Sequence, residues 1–170
     1  MPEPRWLDPD EQRAWRATFA GSILLVDQLD RDLRLAHDLT LADYEILVHL
    51  SESEAGKLRM AELADAALVS RSRLTHRVNR LSARHLVDRE ACPTDGRGTF
   101  AVLTSTGRKL LREAARTHVE SVRTHLVDRL STDEFDRLGT LLAKVATPLL
   151  DSASPTWSVV TDAAAAPATP

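Results

Sequence analysis

The apolar residues of this chain change their spacing twice between Leu74 and Leu110, and that double change narrows the folds open to it. Leu74, Val78 and Leu81 recur at steps of four and three, the period of a helix with one buried face. Val87 to Cys92 and Thr99 to Leu103 then turn to alternating or β-favouring residues, around the turn sequence Pro93-Thr94-Asp95-Gly96-Arg97-Gly98. From Thr104 the helical period resumes through Leu110, Ala114, Val122, Leu126 and Leu130, which predicts one long helix. Helix, β-hairpin and helix are therefore expected in that order.

The flanks are helical. Asp8-Pro9-Asp10-Glu11 reads as a helix start, with a capping acid, Pro in the first turn and further acids near the positive end of the dipole. Trp15, Phe19, Ser22, Val26, Leu29 and Leu33 then form one stripe that runs to about His37. A helix of roughly 25 residues is ~37 Å long, more than a small domain needs. Thr40 caps a second helix from Leu41 to about Ser51, and Ser51 to Lys57 is expected to be a turn. A short helix from Met60 to about Ala67, a tight Leu68-Val69-Ser70 junction and a helix from Arg71 to Arg84 follow. Near the end, Ser131 and Glu134 have capping-box spacing, and Phe135, Leu138, Leu142, Val145 and Leu149 form the stripe of a last helix. Residues 9–36, 37–103, 104–150 and 151–170 are thus expected to be an N-terminal helix, a compact domain, C-terminal helices and a disordered tail rich in Ala, Ser, Thr and Pro.

The order helix, short helix, tight junction, helix, hairpin is that of a winged helix-turn-helix. The expected fold is mainly α, with a small β-hairpin wing and long helices on both sides. Net charge supports a nucleic-acid role once it is read locally. The chain as a whole carries −3, yet Lys57 to Arg97 holds nine basic and five acidic residues, or +4, which leaves −7 for the rest. No acid interrupts Ser70 to Asn79. With Leu74, Val78 and Leu81 inward, Ser72, His76 and Asn79 face outward, flanked by Arg73, Thr75 and Arg80. Ser70, Arg71, Arg73, His76 and Asn79 are placed to meet double-stranded DNA, and Arg77 and Arg84 point sideways toward phosphates. At the hairpin tip Arg97 stands between Gly96 and Gly98, where it can enter a minor groove while Asp95 orients its guanidinium.

From Met60 to Gly107 the chain resembles the DNA-binding core of the MarR family. The resemblance rests on MAELADAALVSRSRLTHRVNRLSARHLVDRE, then the wing motif Asp95-Gly96-Arg97-Gly98, then Leu103-Thr104-Ser105-Thr106-Gly107. With its long flanking helices it extends over about residues 9 to 150. One departure is His85, where similar proteins usually carry Gly because the helix ends there with positive φ. The resemblance implies a wing contact from Arg97, a recognition helix reading a pseudo-palindromic operator, and a homodimer built on the first, fifth and sixth helices. The apolar stripes independently favour dimerisation, since a second copy would cover what the winged domain leaves bare. Repression is the family's usual mode.

The resemblance also implies a small, often aromatic effector in a crevice between the dimer helices and the winged domain. Trp15, Phe19, His37, Tyr44 and His49 fall on elements that could line it, and each is also an ordinary core or surface position. Redox sensing through Cys92 is a rival, although Pro93 follows it and the sequence sets no His or cluster of cations beside it to activate the thiol. Zinc sensing is another, with His118 and His125 on one helical face and Glu45 and His49 on another, but neither pair is a dense ligand set. A winged helix that binds protein would show an apolar or acidic recognition face, the reverse of this one. No nucleophile elbow, phosphate-cradling loop or paired-carboxylate site points to an enzyme, and no cofactor or metal is implied. With one cysteine, no apolar run near the ~20 residues of a membrane span and an acidic N-terminus, a cytoplasmic protein without a membrane partner is expected.

Overall fold

A computed structural model of the chain describes residues 3–92 and 98–150. The first helix, α1 (Pro9–His37), opens on the expected cap: Asp8 accepts from the backbone N–H groups of Asp10 and Glu11, and the Glu11 side chain returns to the Asp8 N–H. It stops at Asp38, which takes a left-handed conformation (φ 51°) and donates its N–H back to Arg34 and Leu33. Helix α2 (Leu41–Glu52) starts from Thr40, whose hydroxyl accepts the N–H of Asp43. Strand β1 (Lys57–Arg59), α3 (Met60–Ala66) and α4 (Arg71–Ala83) follow. Strands β2 (Val87–Ala91) and β3 (Thr99–Leu103) lead into α5 (Ser105–His125) and α6 (Thr132–Ala146), the last with the predicted Ser131–Glu134 capping box.

Two expectations are corrected. The segment read as a turn from Ser51 to Lys57 holds a 3-10 turn at Glu54–Gly56 and then β1. The wing is therefore a three-stranded antiparallel sheet in the order β1-β3-β2, with Lys57 opposite Val102 and Val87 opposite Leu103. A strand of three residues has too few positions to show a period of two. The second correction concerns α5, which ends at His125 rather than running to Leu130. A 3-10 turn at Val127–Arg129 replaces the expected last turn, and Arg129 Nε donates to the freed carbonyl of Thr124 at 2.9 Å.

The core belongs to the winged domain. Leu33, Leu39, Ile46, Leu47, Leu50 and Leu63 are fully buried together with the α4 row Leu74, Val78 and Leu81. Cutting any one of these leucines to Ala costs ~2–5 kcal/mol, so this cluster alone accounts for a rigid seat under α4. The long helices are different. On α1 only Leu29 and Leu33 are buried, while Trp15, Phe19, Ile23 and Val26 are each more than half exposed, and on α6 Leu141, Leu142 and Val145 are exposed.

Candidate nucleic-acid interface

Helix α4 is presented by the turn that precedes it. Ala67 and Val69 donate to the carbonyls of Leu63 and Ala64, and Leu68 takes a left-handed conformation (φ 52°), which reverses the chain between α3 and α4. Ser70 then caps α4, its hydroxyl 3.4 Å from the Arg73 N–H and 3.2 Å from the Ser72 hydroxyl. Because Leu74, Val78 and Leu81 are locked into the core, Ser72, His76 and Asn79 are held outward, and all three are exposed. Arg71 and Arg73 are exposed beside them. Thr75 is half-buried and spends its hydroxyl on the Arg71 carbonyl, 2.9 Å away.

The remaining arginines of α4 turn back toward the protein. Arg80 Nη2 lies 2.7 and 2.6 Å from the two carboxylate oxygens of Asp43, which is only 2% exposed. Arg77 Nη1 is 3.9 Å from the same carboxylate. Arg84, expected to point toward phosphate, donates to the carbonyls of Asp38 and His37. The reason is local: the end of α1 leaves carbonyls without partners, and Arg84 is the cation within reach. Its neighbour His85 has φ 56°, the left-handed conformation expected at the end of this helix.

The wing sheet packs beside α4. Arg89 on β2 donates to the side-chain oxygen of Asn79 at 2.8 Å. Lys57 and Arg59 on β1 stand 5.3 and 5.5 Å from the ring centre of Phe100 on β3, which gathers cationic charge on the sheet. The wing residues Asp95 and Arg97 lie outside the described residues. Neither Asp43 nor Arg89 was picked out from the sequence. Nothing local in the sequence links Asp43 to α4, and Arg89 enters only among the nine basic residues of Lys57 to Arg97.

The five candidate effector residues do not converge within one chain. Trp15 and Phe19 stack on each other, with ring centres 5.2 Å apart, on the exposed half of α1. His37 is eighteen residues beyond Phe19 on the same helix, ~27 Å along its axis. There His37 Nε2 meets the Thr117 hydroxyl at 2.8 Å. One residue further along α5, His118 packs on buried Tyr44, with ring centres 4.6 Å apart. His118 Nδ1 is buried without a hydrogen-bond partner, and burial pushes the imidazole pKa below its ordinary value. His49 is half-buried on α2. Beside Thr117, an open groove of about 290 Å³ runs between α1 and α5, lined by Asp32, Leu35, Glu120, Ser121, Thr124 and His125.

The rival sensors are placed as follows. Cys92 is buried, at 4% exposure, which shields the thiol from solution oxidants. His118 faces Tyr44 whereas His125 lies 3.7 Å from Asp32, so the two histidines take different partners. Among the described residues no three His, Cys, Asp or Glu side chains come together as a metal site. No helix among them is long and apolar enough to cross a membrane.

Comparison with known proteins adds the following. Residues 37–98 match the model of the MarR family. The crystal structure of Sco3205, a MarR family transcriptional regulator from Streptomyces coelicolor in complex with DNA, is similar at 42% identity and a TM-score of 0.85. That match covers 91% of this chain and 97% of Sco3205. AbsC, a MarR family transcriptional regulator also from Streptomyces coelicolor, is similar at 45% identity and a TM-score of 0.81, over 86% of this chain and 98% of its own. NadR, solved in complex with 4-hydroxyphenylacetate, is similar at 27% identity and a TM-score of 0.59, over 86% of this chain and 98% of its own.

Proposed function

The chain belongs to the MarR family of transcriptional regulators, and from that premise we propose that it binds a pseudo-palindromic operator as a homodimer and represses transcription in the cytoplasm until a small aromatic ligand releases it. The observation that carries the reading is the outward face of α4. Ser72, His76 and Asn79, with Arg71 and Arg73, form an exposed polar and cationic surface without an acid, seated on a row of fully buried side chains. Ser70 opens the helix toward the same surface. A helix so presented can lie in the major groove, with base-edge contacts from Arg73, His76 and Asn79 and a phosphate contact from Arg71. In this reading Arg97, oriented by Asp95, adds the minor-groove contact of the wing.

The dimer is supported by the bare stripes of α1 and α6. Trp15, Phe19, Ile23, Val26, Leu142 and Val145 present one apolar surface after another to solvent in a single chain, and a second copy is the covering that repeats on both sides. The effector is assigned to the junction of α1, α2 and α5, at His37, Tyr44 and His118. The unpaired Nδ1 of His118 offers a hydrogen-bonding atom beside an aromatic ring, which suits a phenol or an aromatic carboxylate. The complex of NadR with 4-hydroxyphenylacetate supports that chemistry. Ligand binding would favour a spacing of the two recognition helices unlike the roughly 34 Å of one DNA turn.

The test is binding of the full chain to DNA from upstream of its own gene at two salt concentrations, with sedimentation run in parallel. A dimer that protects two half-sites about one turn apart, with affinity falling steeply as salt rises, is the expected result. A folded dimer that binds no duplex even at low salt would overturn the reading in favour of a protein-binding winged helix.

A further inference from the structure

Arg73, Arg77, Arg80 and Arg84 are spaced four, three and four apart, which puts them on one flank of α4. Three of the four turn toward the α1–α2 junction and only Arg73 is left at the outward end. Arg84 holds the last carbonyls of α1 and Arg80 holds Asp43 in the first turn of α2. Across the junction the Asp30 carboxylate accepts the first N–H of α2, from Leu41, at 2.9 Å. The flank of the recognition helix is thereby clasped to the point where the long helix hands over to the winged domain.

Asp43 is the centre of that clasp. A carboxylate only 2% exposed is costly to bury unless it is paired and hydrogen-bonded, and Arg80 supplies both oxygens with a partner at once. The guanidinium is in turn neutralised. Asp43 compensates the charge of Arg80 at 2.6 Å, with Arg77 farther off at 3.9 Å, and reaching a phosphate would strand the buried acid. Yet the Arg80 side chain is 53% exposed, so an outward rotation toward DNA is sterically open. The two positions predict opposite salt behaviour.

We propose that Asp43 is the positioning residue of the recognition helix, fixing α4 through Arg80 and holding that guanidinium away from DNA phosphate. The assignment rests on the DNA-binding reading above. Arg80 then acts on specificity through the seating of the helix, and its charge releases no counterions on binding. Removing the acid frees a cation at the interface, so binding to any sequence strengthens while discrimination falls.

The experiment compares the full-length wild type, Arg80→Gln, Asp43→Asn and the double variant on two duplexes. One is enriched from a randomised library by the wild type and the other is its scrambled counterpart, each titrated across a potassium chloride series. For Arg80→Gln the salt slope should stay at the wild-type value while the preference for the enriched duplex falls about tenfold. For Asp43→Asn the slope on scrambled DNA should steepen by about one, and the double variant should return it to the wild-type value. A slope that drops by about one in Arg80→Gln overturns the proposal, because that is the signature of a phosphate contact. If thermal melts show that Asp43→Asn does not fold, the slope of Arg80→Gln, whose side-chain amide can still donate to the Asp43 carboxylate, decides alone once its own melt shows it folded. Wild-type protein that binds neither duplex overturns the DNA-binding reading itself, and this proposal with it.

Discussion

Arg89 Nη1 donates to the side-chain oxygen of Asn79 at 2.8 Å, joining the second strand of the wing to the outward face of the recognition helix. The bond has a chemical consequence. An asparagine that grips adenine uses its oxygen and its amide nitrogen together, and here the oxygen is already engaged. Arg89 thereby fixes the plane of the Asn79 amide, and with it the direction in which the NH2 group and the second lone pair of the oxygen are offered. Arg89→Ala should therefore change the preferred base at the same operator position as Asn79→Ala, and the double variant should resemble either single one. Selection from a randomised site with the four proteins checks this. Independent changes at two positions would show that Arg89 contacts DNA in its own right. Both side chains are on the surface, so stability should shift by no more than about 0.5 kcal/mol.

Gly107 closes the other side of the wing. A Cβ at this position would stand 2.1 Å from the Leu86 carbonyl oxygen and 2.9 Å from Leu103 Cδ1. The approach is close because Thr104 ties the start of α5 to the end of the α4–β2 connection. Its hydroxyl donates to the carbonyls of His85 and Leu86 and accepts the Gly107 N–H at 2.9 Å. The clash falls on backbone, which cannot rotate aside. Gly107→Ala should cost about 3 kcal/mol, at the upper end for overpacking, measured as a lowered urea midpoint with unchanged slope. A loss below about 0.5 kcal/mol would mean that α5 shifts freely against the wing.

How much of this could be read from the sequence depends on where each signal resides. The row Leu74, Val78 and Leu81 was legible because periodicity records burial directly, and once those three were placed the outward residues followed by geometry. The caps at Asp8, Thr40 and Ser131 were legible for a similar reason, since a cap is a local interaction between neighbours in the chain. Arg80 and Arg84 were harder. Their spacing places them on a flank, but only the third dimension shows that Asp43 and the end of α1 lie beside that flank. Tyr44 and His118 are seventy-four residues apart in sequence and touch only because α2 packs on α5. Trp15 and His37 lie far apart within one chain because both are on α1, a distance that residue type alone does not reveal.

His85 carries a left-handed φ of 56° at the end of α4. For a residue with a Cβ that conformation costs about 1 kcal/mol. Glycine removes the strain and gives back part of the gain through the greater freedom of its unfolded state. His85→Gly should therefore stabilise the protein by about 0.5 kcal/mol, a rise in melting temperature of roughly 2 °C. The side chain is exposed, so little packing is lost. A fall in melting temperature would show that the imidazole makes a stabilising contact of its own.

His118 should make stability depend on pH in a particular direction. Burial against Tyr44 disfavours the imidazolium, so the folded-state pKa lies below the ordinary 6.5. Its Nδ1 has no partner to offset that loss of hydration. The unfolded chain therefore takes up the proton first as pH falls, and ∂ΔG/∂pH is positive through that interval. The contribution is complete above pH 6.5 and is lost progressively below it, until the folded imidazole also protonates. His118→Phe keeps an aromatic ring against Tyr44 and removes the titration. Urea midpoints measured from pH 7.5 down to pH 5 should fall less steeply for this variant than for the wild type. Parallel profiles would mean that the site accepts the charge without cost. A phenolic effector that raises the wild-type midpoint at pH 7 and leaves His118→Phe unmoved would, in addition, tie the unpaired nitrogen to ligand binding.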